Sequence, residues 1–326
     1  MKASRLKAVG AAAAIAIAWS TVAGAQGWPV KPIRWVVPYT PAGITDTGTR
    51  MVLQKVQEHT GWNIVVENKP GANSLIGAGE VARAPADGYT FLTVIGAHAA
   101  NATLYAGKMP FDPVKSFAPV SHAMTAPLIL TASNNFPARD VKELIAYARA
   151  NPGKVSFGSS GIGAAAHLTT ELLKQTAGID MVHVPYKGTA PALQDLMGGN
   201  IQILVDVPSS LMTHVRGGKI KALAMFSPRR LKSAPEVPTM PEAGGPAMES
   251  STWLLFLAPA NTPRDIVTRL SAEVAKAVNA PEVKGKLEGL GIEPVGSTPE
   301  QGAKFLSEEI AKWARVIQMA GVKAEQ

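Results

Sequence analysis

The segment from Lys154 to Leu168, KVSFGSSGIGAAAHL, leaves few folds open to the chain that contains it. Val155 and Phe157 alternate as in a short buried strand. Gly158, Gly161 and Gly163, with Ser159 and Ser160, make a turn that large side chains could not follow. Ala164-Ala165-Ala166-His167-Leu168 then opens a helix that continues through Leu172. A strand, a small-residue turn and a helix start in so short a span form one arm of a βαβ unit, the building block of α/β sheets. The first N–H groups of a helix have no intrahelical acceptor and lie at the positive end of the macrodipole. Such a turn suits an anionic group, with serine hydroxyls as further donors. No Lys or Arg lies in it, so an acid held there would be held by amides and hydroxyls.

Three other readings of the turn compete. Gly161-x-Gly163-x-x-Ala166 has the outline of a dinucleotide fingerprint, but that motif wants an acid about 20 residues on. Here the next strand, Met181 to Val184, runs into Pro185-Tyr186-Lys187. A nucleophile elbow needs G-x-S-x-G, and centred on Ser160 it meets Ile162. The third reading is a tight strand-to-helix turn that binds nothing.

The same unit recurs along the chain. Ile33 to Pro38 reads as a strand, Tyr39 to Asp46 as a loop, and 47–60 as a helix capped by Asp46 or Thr45 and ended by Gly61. Ile64 to Glu67 is a strand and Ser74 to Arg83 a short helix. Tyr89 to Ile95 is a strand ending at Gly96-Ala97-His98. Pro127 to Thr131 is a strand, and Asp140-x-x-Glu143 opens a helix over Val141 to Ala150. Ile201 to Val205, Ile220 to Met225 and Thr252 to Ala258 complete the strands. Thr262-Pro263 opens one late helix, and Thr298 with Gln301 forms a capping box for the last.

Ligands of open α/β sheets bind beyond the carboxyl ends of strands, where the loops 39–46, 96–98, 158–165 and 185–189 all fall. The candidate ligand contacts are Tyr39, Thr40, Ala42, Gly43, Ile44 and Thr45 in the first loop and Ala97 and His98 in the second. The third offers Ser159, Ser160, Gly161, Gly163, Ala164 and Ala165, and the fourth Tyr186 and Lys187. His98 is either a pocket donor or a packed imidazole. Asp206, at a strand end, either accepts from a ligand amine or hydroxyl or orders its own turn.

Lys2, Arg5 and Lys7 precede an apolar run from Ala8 to Trp19 and an Ala23-Gly24-Ala25 cleavage signal. Residues 1–25 therefore read as a secretory signal peptide, too short to span a bilayer. The expected address is the periplasm. There is no Cys, so the exported chain rests on its core, and thiolate metal sites and thiol nucleophiles are excluded. Removing the three leader cations from a formal charge of +8 leaves +5, without the basic, aromatic-interleaved patch that nucleic acid requires. The six His residues show no metal-binding spacing, and no cofactor motif is complete. The competing functional class is an exported α/β serine hydrolase using Ser159 or Ser160 with His167; it lacks the elbow spacing and a matched acid.

Ordered along the chain are Trp28-Pro29-x-Lys31-Pro32-Ile33, the 38–50 loop with Asp46 and Arg50, Val66-Glu67-Asn68-Lys69-Pro70-Gly71-Ala72 and Pro85-x-Asp87-Gly88-Tyr89-Thr90. Further on come Ser159-Ser160-Gly161-x-Gly163, Val184-Pro185-Tyr186-Lys187-Gly188, Val237-Pro238-Thr239 and Ala258-Pro259-Ala260-Asn261-Thr262-Pro263. In these the chain resembles the periplasmic substrate-binding proteins of tripartite tricarboxylate transporters, the Bug-type receptors. The resemblance implies a two-lobed periplasmic-binding-protein fold, type II-like, each lobe a mainly parallel sheet flanked by helices. Lobe 1 would hold 26–126 and 250–326, and lobe 2 would hold 127–249. It implies a monomeric, non-catalytic receptor without metal or cofactor. Such a receptor closes over a small organic acid, a di- or tricarboxylate or an aromatic carboxylate, and passes it to membrane permease subunits. One carboxylate would sit between the 39–45 loop, partly through water, and the 159–165 helix start. Where the family carries a double glycine in the first loop, this chain has Ala42-Gly43-Ile44, which implies a greasier cleft and a ligand with an apolar body.

Overall fold

The structure is a computed structural model and describes residues 27–41 and 43–324. The expected signal peptide lies outside the described residues, as does Ala42. The strands in chain order are β1 (Ile33–Val37), β2 (Ile64–Asn68), β3 (Thr90–Val94), β4 (Phe117–Pro127), β5 (Ile129–Ser133) and β6 (Ser156–Ser159). They continue with β7 (Val182–Pro185), β8 (Ile203–Asp206), β9 (Ile220–Met225), β10 (Ser251–Pro259) and β11 (Glu293–Pro294). The helices are α1 (Ile44–Thr60), α2 (Leu75–Ala82), α3 (Gly96–Leu104), α4 (Val141–Ala150) and α5 (Ala165–Ala177). After them come α6 (Thr189–Gly198), α7 (Pro208–Arg216), α8 (Arg264–Asn279), α9 (Pro281–Gly289) and α10 (Pro299–Ala320).

Two sheets share the strands. The first has the order β11-β4-β10-β3-β1-β2 and the second β7-β6-β8-β5-β9. Apart from β11 the orders correspond strand for strand: a βαβαβ run lays down three parallel strands, and a strand arriving from the other sheet joins the third. The sheets are mixed rather than mainly parallel. β1 pairs in parallel with β2 and β3, and β6 with β7 and β8. β10 runs antiparallel to β3 and β4, and β5 antiparallel to β8 and β9. The reason lies in the crossings. β4 leaves the first sheet, a single residue, Leu128, follows, and β5 enters the second; β10 later returns. Exit and return pass the same edge, so β4 and β10 must point in opposite directions. The parallel units supply the helix starts, and the crossings hold both sets of starts at one cleft.

The packing behind the cleft is dry and aromatic. On the first sheet Trp35 stacks on Phe91 with ring centres 5.2 Å apart, meets Phe256 edge-on at 4.8 Å, and donates Nε1–H to Thr93 Oγ1 at 2.8 Å. All three rings are fully buried, each contributing about 1.5–3 kcal/mol of apolar transfer. Glu309 of α10 accepts from both Trp253 Nε1 and Trp313 Nε1 at 2.8 and 2.9 Å. That buried carboxylate ties the last helix to the sheet, and the Thr298–Gln301 capping box starts the helix as the sequence expects. Among the described residues no helix is long and apolar enough to cross a membrane.

Candidate functional site

Between the sheets lies a cavity of about 660 Å³. Five helices begin at it: Ile44 and Thr45 open α1, Gly96 and Ala97 open α3, and Ala165 and Ala166 open α5. Thr189 opens α6, and Ser209 and Ser210 lie in the first turn of α7. The starts of α3 and α5 come from different sheets and nearly touch, since a Cβ on Gly96 would stand 3.8 Å from Ala165 Cβ. Small residues are what let the two backbones approach. Helix starts of this kind add partial positive charge and unpaired N–H donors. Among the described residues the cavity lining contains neither Lys nor Arg, and Asp206 is its one charged side chain. Apolar side chains also line it: Met51, Leu128, Val207, Leu287, Leu290 and Ile292.

The cavity gathers eleven of the residues expected from sequence. Tyr39, Thr40, Gly43, Ile44 and Thr45 line it from the first loop, and Ala97 from the second. Ser160, Gly161, Ala164 and Ala165 line it from the third, and Asp206 from the end of β8. Burial pushes the Tyr39 phenol up, so it meets a ligand neutral.

Five expected contacts lie elsewhere. His98 lies in the first turn of α3, where a loop was expected, and is 1 % exposed. Its Nε2 donates to Pro113 O at 2.9 Å, its ring packs on Phe111 and Phe117, and burial lowers its pKa to about 4. Ser159 is buried under the turn, and its Oγ lies 2.7 Å from His183 Nε2. Gly163 lies behind the lining, where a Cβ would strike Leu104 at 2.6 Å and φ is +78°, so only glycine passes. Tyr186 turns its hydroxyl to Asp195 Oδ2 at 2.6 Å. Lys187 is exposed outside the cavity lining. Asp46 is not the cap of α1 either: the helix starts at Ile44 with Gly43 as N-cap. The Asp46 carboxylate instead accepts from Arg50 Nε at 2.8 Å and Asn68 Nδ2 at 2.9 Å.

Two histidines brace the α5 turn from beneath. His167 and His183 stack with centres 3.8 Å apart, and His167 Nδ1 accepts the Gly163 N–H at 3.1 Å. Desolvation first, then the neighbouring His183 and Lys174, push His167 down to about 3; desolvation and Lys174 push His183 down to about 4. Both are neutral at ordinary pH. The expected serine–histidine alternative therefore fails in detail: His167 bonds a backbone amide, and the one short Ser–His contact here is buried beneath the turn.

Sequence reasoning missed the other side of the site. Ala72, Asn73 and Ser74 all have positive φ, at 46°, 48° and 75°. Each left-handed non-glycine residue costs about 1–2 kcal/mol. The turn is held by reciprocal bonds of 2.8 Å, Asn73 Nδ2 to Asn101 Oδ1 and Asn101 Nδ2 to Asn73 O, which place Asn73 in the cavity wall. No local pattern announces such a turn. Pro208 at the first position of α7 and the hydroxyls after it were a readable signal for a helix start.

The model of the tripartite tricarboxylate transporter family receptor matches residues 49–322. The chain belongs to that family. This Bug-type receptor is 34 % identical to BugT of Bordetella pertussis over 304 residues, 92 % of each chain. It is 35 % identical to an R. palustris protein solved with adipate, with a TM-score of 0.81 over 91 % of this chain and 99 % of that one. It is 32 % identical to MatC of Rhodopseudomonas palustris with bound malate, with a TM-score of 0.77 over 89 % and 100 %. The fold is that of these binding proteins, and the receptor is a solute-binding protein rather than an enzyme.

Proposed function

We propose that this receptor works in the periplasm as a monomer, captures a small organic acid in the cleft, and hands it to the permease subunits of a tripartite tricarboxylate-type transporter. The observation that carries the reading is the convergence of helix starts on a cavity without a cationic side chain. A carboxylate there meets main-chain N–H groups and the hydroxyls of Thr40, Thr45 and Ser160. The lobes proposed are 26–126 with 250–326, and 127–249. They close about Leu128 and about the return to β10.

One helix terminus contributes about 0.3–2 kcal/mol, whereas micromolar binding needs about 8 kcal/mol. Several charge-assisted N–H bonds, bridging waters and exclusion of solvent on closure supply the difference. Ile44 and the apolar wall favour an acid with an apolar or aromatic body over a highly hydrated one. The adipate and malate of the two neighbours support the carboxylate class. Native mass spectrometry of the purified protein, followed by calorimetry with adipate, benzoate and citrate, tests the reading. A retained acid, or binding of adipate or benzoate over citrate, is the expected result. Binding of none of the acids would overturn it.

A further inference from the structure

Among the described residues β11 is the one strand without a counterpart in the second sheet. The segment that brings it, α9 and the turn Leu290-Gly291-Ile292, is an addition to the plan the two sheets share. It is placed at the cavity, which Leu287, Leu290 and Ile292 all line. Its base is fixed, since Glu293 and Pro294 pair antiparallel with Thr125 and Met124 of β4. The turn is fixed as well. Gly291, with φ of +75°, follows α9; its N–H donates to Glu288 O at 3.0 Å, and the Ile292 N–H donates to Leu287 O at 2.9 Å.

The tip of this segment bridges the sheets. A Cβ on Gly291 would stand 3.2 Å from Pro208 Cβ, 3.3 Å from Ser233 Oγ and 3.4 Å from Leu231 Cδ1, and Leu231 packs into the core of the second sheet. Outside the turn Glu293 pairs with Arg229 at 3.1 Å and Glu288 with Lys232 at 3.8 Å, in solvent that screens both pairs. Leu287 and Ile292 are buried, whereas Leu290 is 45 % exposed although it lines the cavity. It keeps apolar surface open where an apolar group could cover it. The turn stands beside the body of α1 rather than its start. α9 packs on α1, and Met51, packed against the same core as Leu287 and Ile292, lies about 10 Å of helix rise beyond Ile44.

We propose that Leu290 and Ile292 are specificity-determining residues that receive the far end of the ligand, and that this end is apolar. The acid is held at the helix starts, and its hydrocarbon body runs along α1 to the turn. The inference rests on the carboxylate reading of the cleft and narrows it to a monocarboxylate with an uncharged remote end. A second carboxylate placed there would lose its water against two apolar side chains.

The test is calorimetry on the full chain with two matched pairs. Octanoate and suberate are long enough to reach the turn from the helix starts; butanoate and succinate are too short. The wild type is expected to bind octanoate about tenfold more tightly than suberate. Leu290→Lys and Leu290→Glu each place a charge at a part-exposed position, where the fold should carry it. Lysine is expected to raise the suberate-to-octanoate affinity ratio about tenfold and glutamate to lower it by a similar factor, with the succinate-to-butanoate ratio within about threefold of the wild type in both. Opposite shifts confined to the long pair are not what a merely structural role would give. Tighter binding of suberate by the wild type overturns the proposal. A long-pair ratio that neither variant moves, or a short-pair ratio that moves equally, does the same; all three leave the carboxylate reading standing. Should none of the four acids bind the wild type, the carboxylate reading itself falls. The wild-type comparison decides the question even if the variants fold poorly.

Discussion

On the side of α1, α3 and α5 the cleft is edged by main chain and small residues; on the side of α6 and α7 it is closed by a carboxylate of the protein's own. The difference does not follow the sheets: α1 and α3 belong to the first, and α5 belongs to the second with α6 and α7. Both bring helix starts to the cavity, and a helix start attracts an anion wherever it faces a dry site. On one side the carboxyl of Asp206 takes that place, accepting from Thr189 and from the Val207 N–H. On the other side the acid in the first turn of α1, Asp46, accepts from Arg50 and Asn68. Topology therefore brings helix starts from both sheets to one cavity, and the placement of one aspartate marks which of them are left for a ligand.

The comparison can be broken most directly by moving the charge. Ala165→Asp puts a carboxylate at the start of α5. An acid there suits the helix by about 0.3–1 kcal/mol, so the fold should hold while calorimetric affinity for adipate or benzoate falls about 100-fold or more. Unchanged affinity would mean that the α5 start does not meet the ligand. Gly163→Val acts on the same half through the backbone, because it adds both a left-handed strain and the collision with Leu104. The expected cost is about 2–3 kcal/mol of stability by denaturant unfolding, with binding weakened alongside.

Acid should weaken the fold through its buried histidines. His98, His122 and His183 have pKa values lowered to about 4 and His167 to about 3, all chiefly by burial. A lowered folded pKa means that the unfolded chain takes up protons first. Stability is then fully present above about pH 6.5 and falls as the pH drops towards 4, by about 1.4 kcal/mol per pH unit for each such group. His183→Gln should flatten that slope in thermal unfolding followed between pH 7 and 4. The smallest effect belongs to Ile44→Gly. It trims the apolar wall and should lower affinity for benzoate about tenfold relative to citrate.

Much of this was readable in the chain. The Gly161–Gly163 turn, the helix it opens, the Asp140 cap, the Thr298–Gln301 capping box and the alternation of strands with helices follow from local chemistry. Eleven of the expected residues line the cavity in loops, at helix starts and at one strand end, and that position beyond the strands is a consequence of the α/β pattern. What escaped reading depends on distance in the chain. β4 escaped because Pro119 and the polar Ser121 and His122 interrupt its apolar pattern, although its burial comes from β10, some 130 residues later. His98 and Ser159 looked like pocket donors by position, yet each finds a closer partner, in Pro113 and His183, that only the fold supplies. The left-handed turn at 72–74 exists because Asn101 holds Asn73 from another helix.

The central claim is that backbone amides at the bare helix starts, rather than any cationic side chain, grip the acid. Amide proton and nitrogen shifts recorded while the protein is titrated with adipate or benzoate test it directly. The largest movements are expected on Thr45, Ala97, Ala165 and Ala166, with the Lys and Arg side-chain signals still. Movement of a lysine or arginine side chain, with those four amides unmoved, would contradict it.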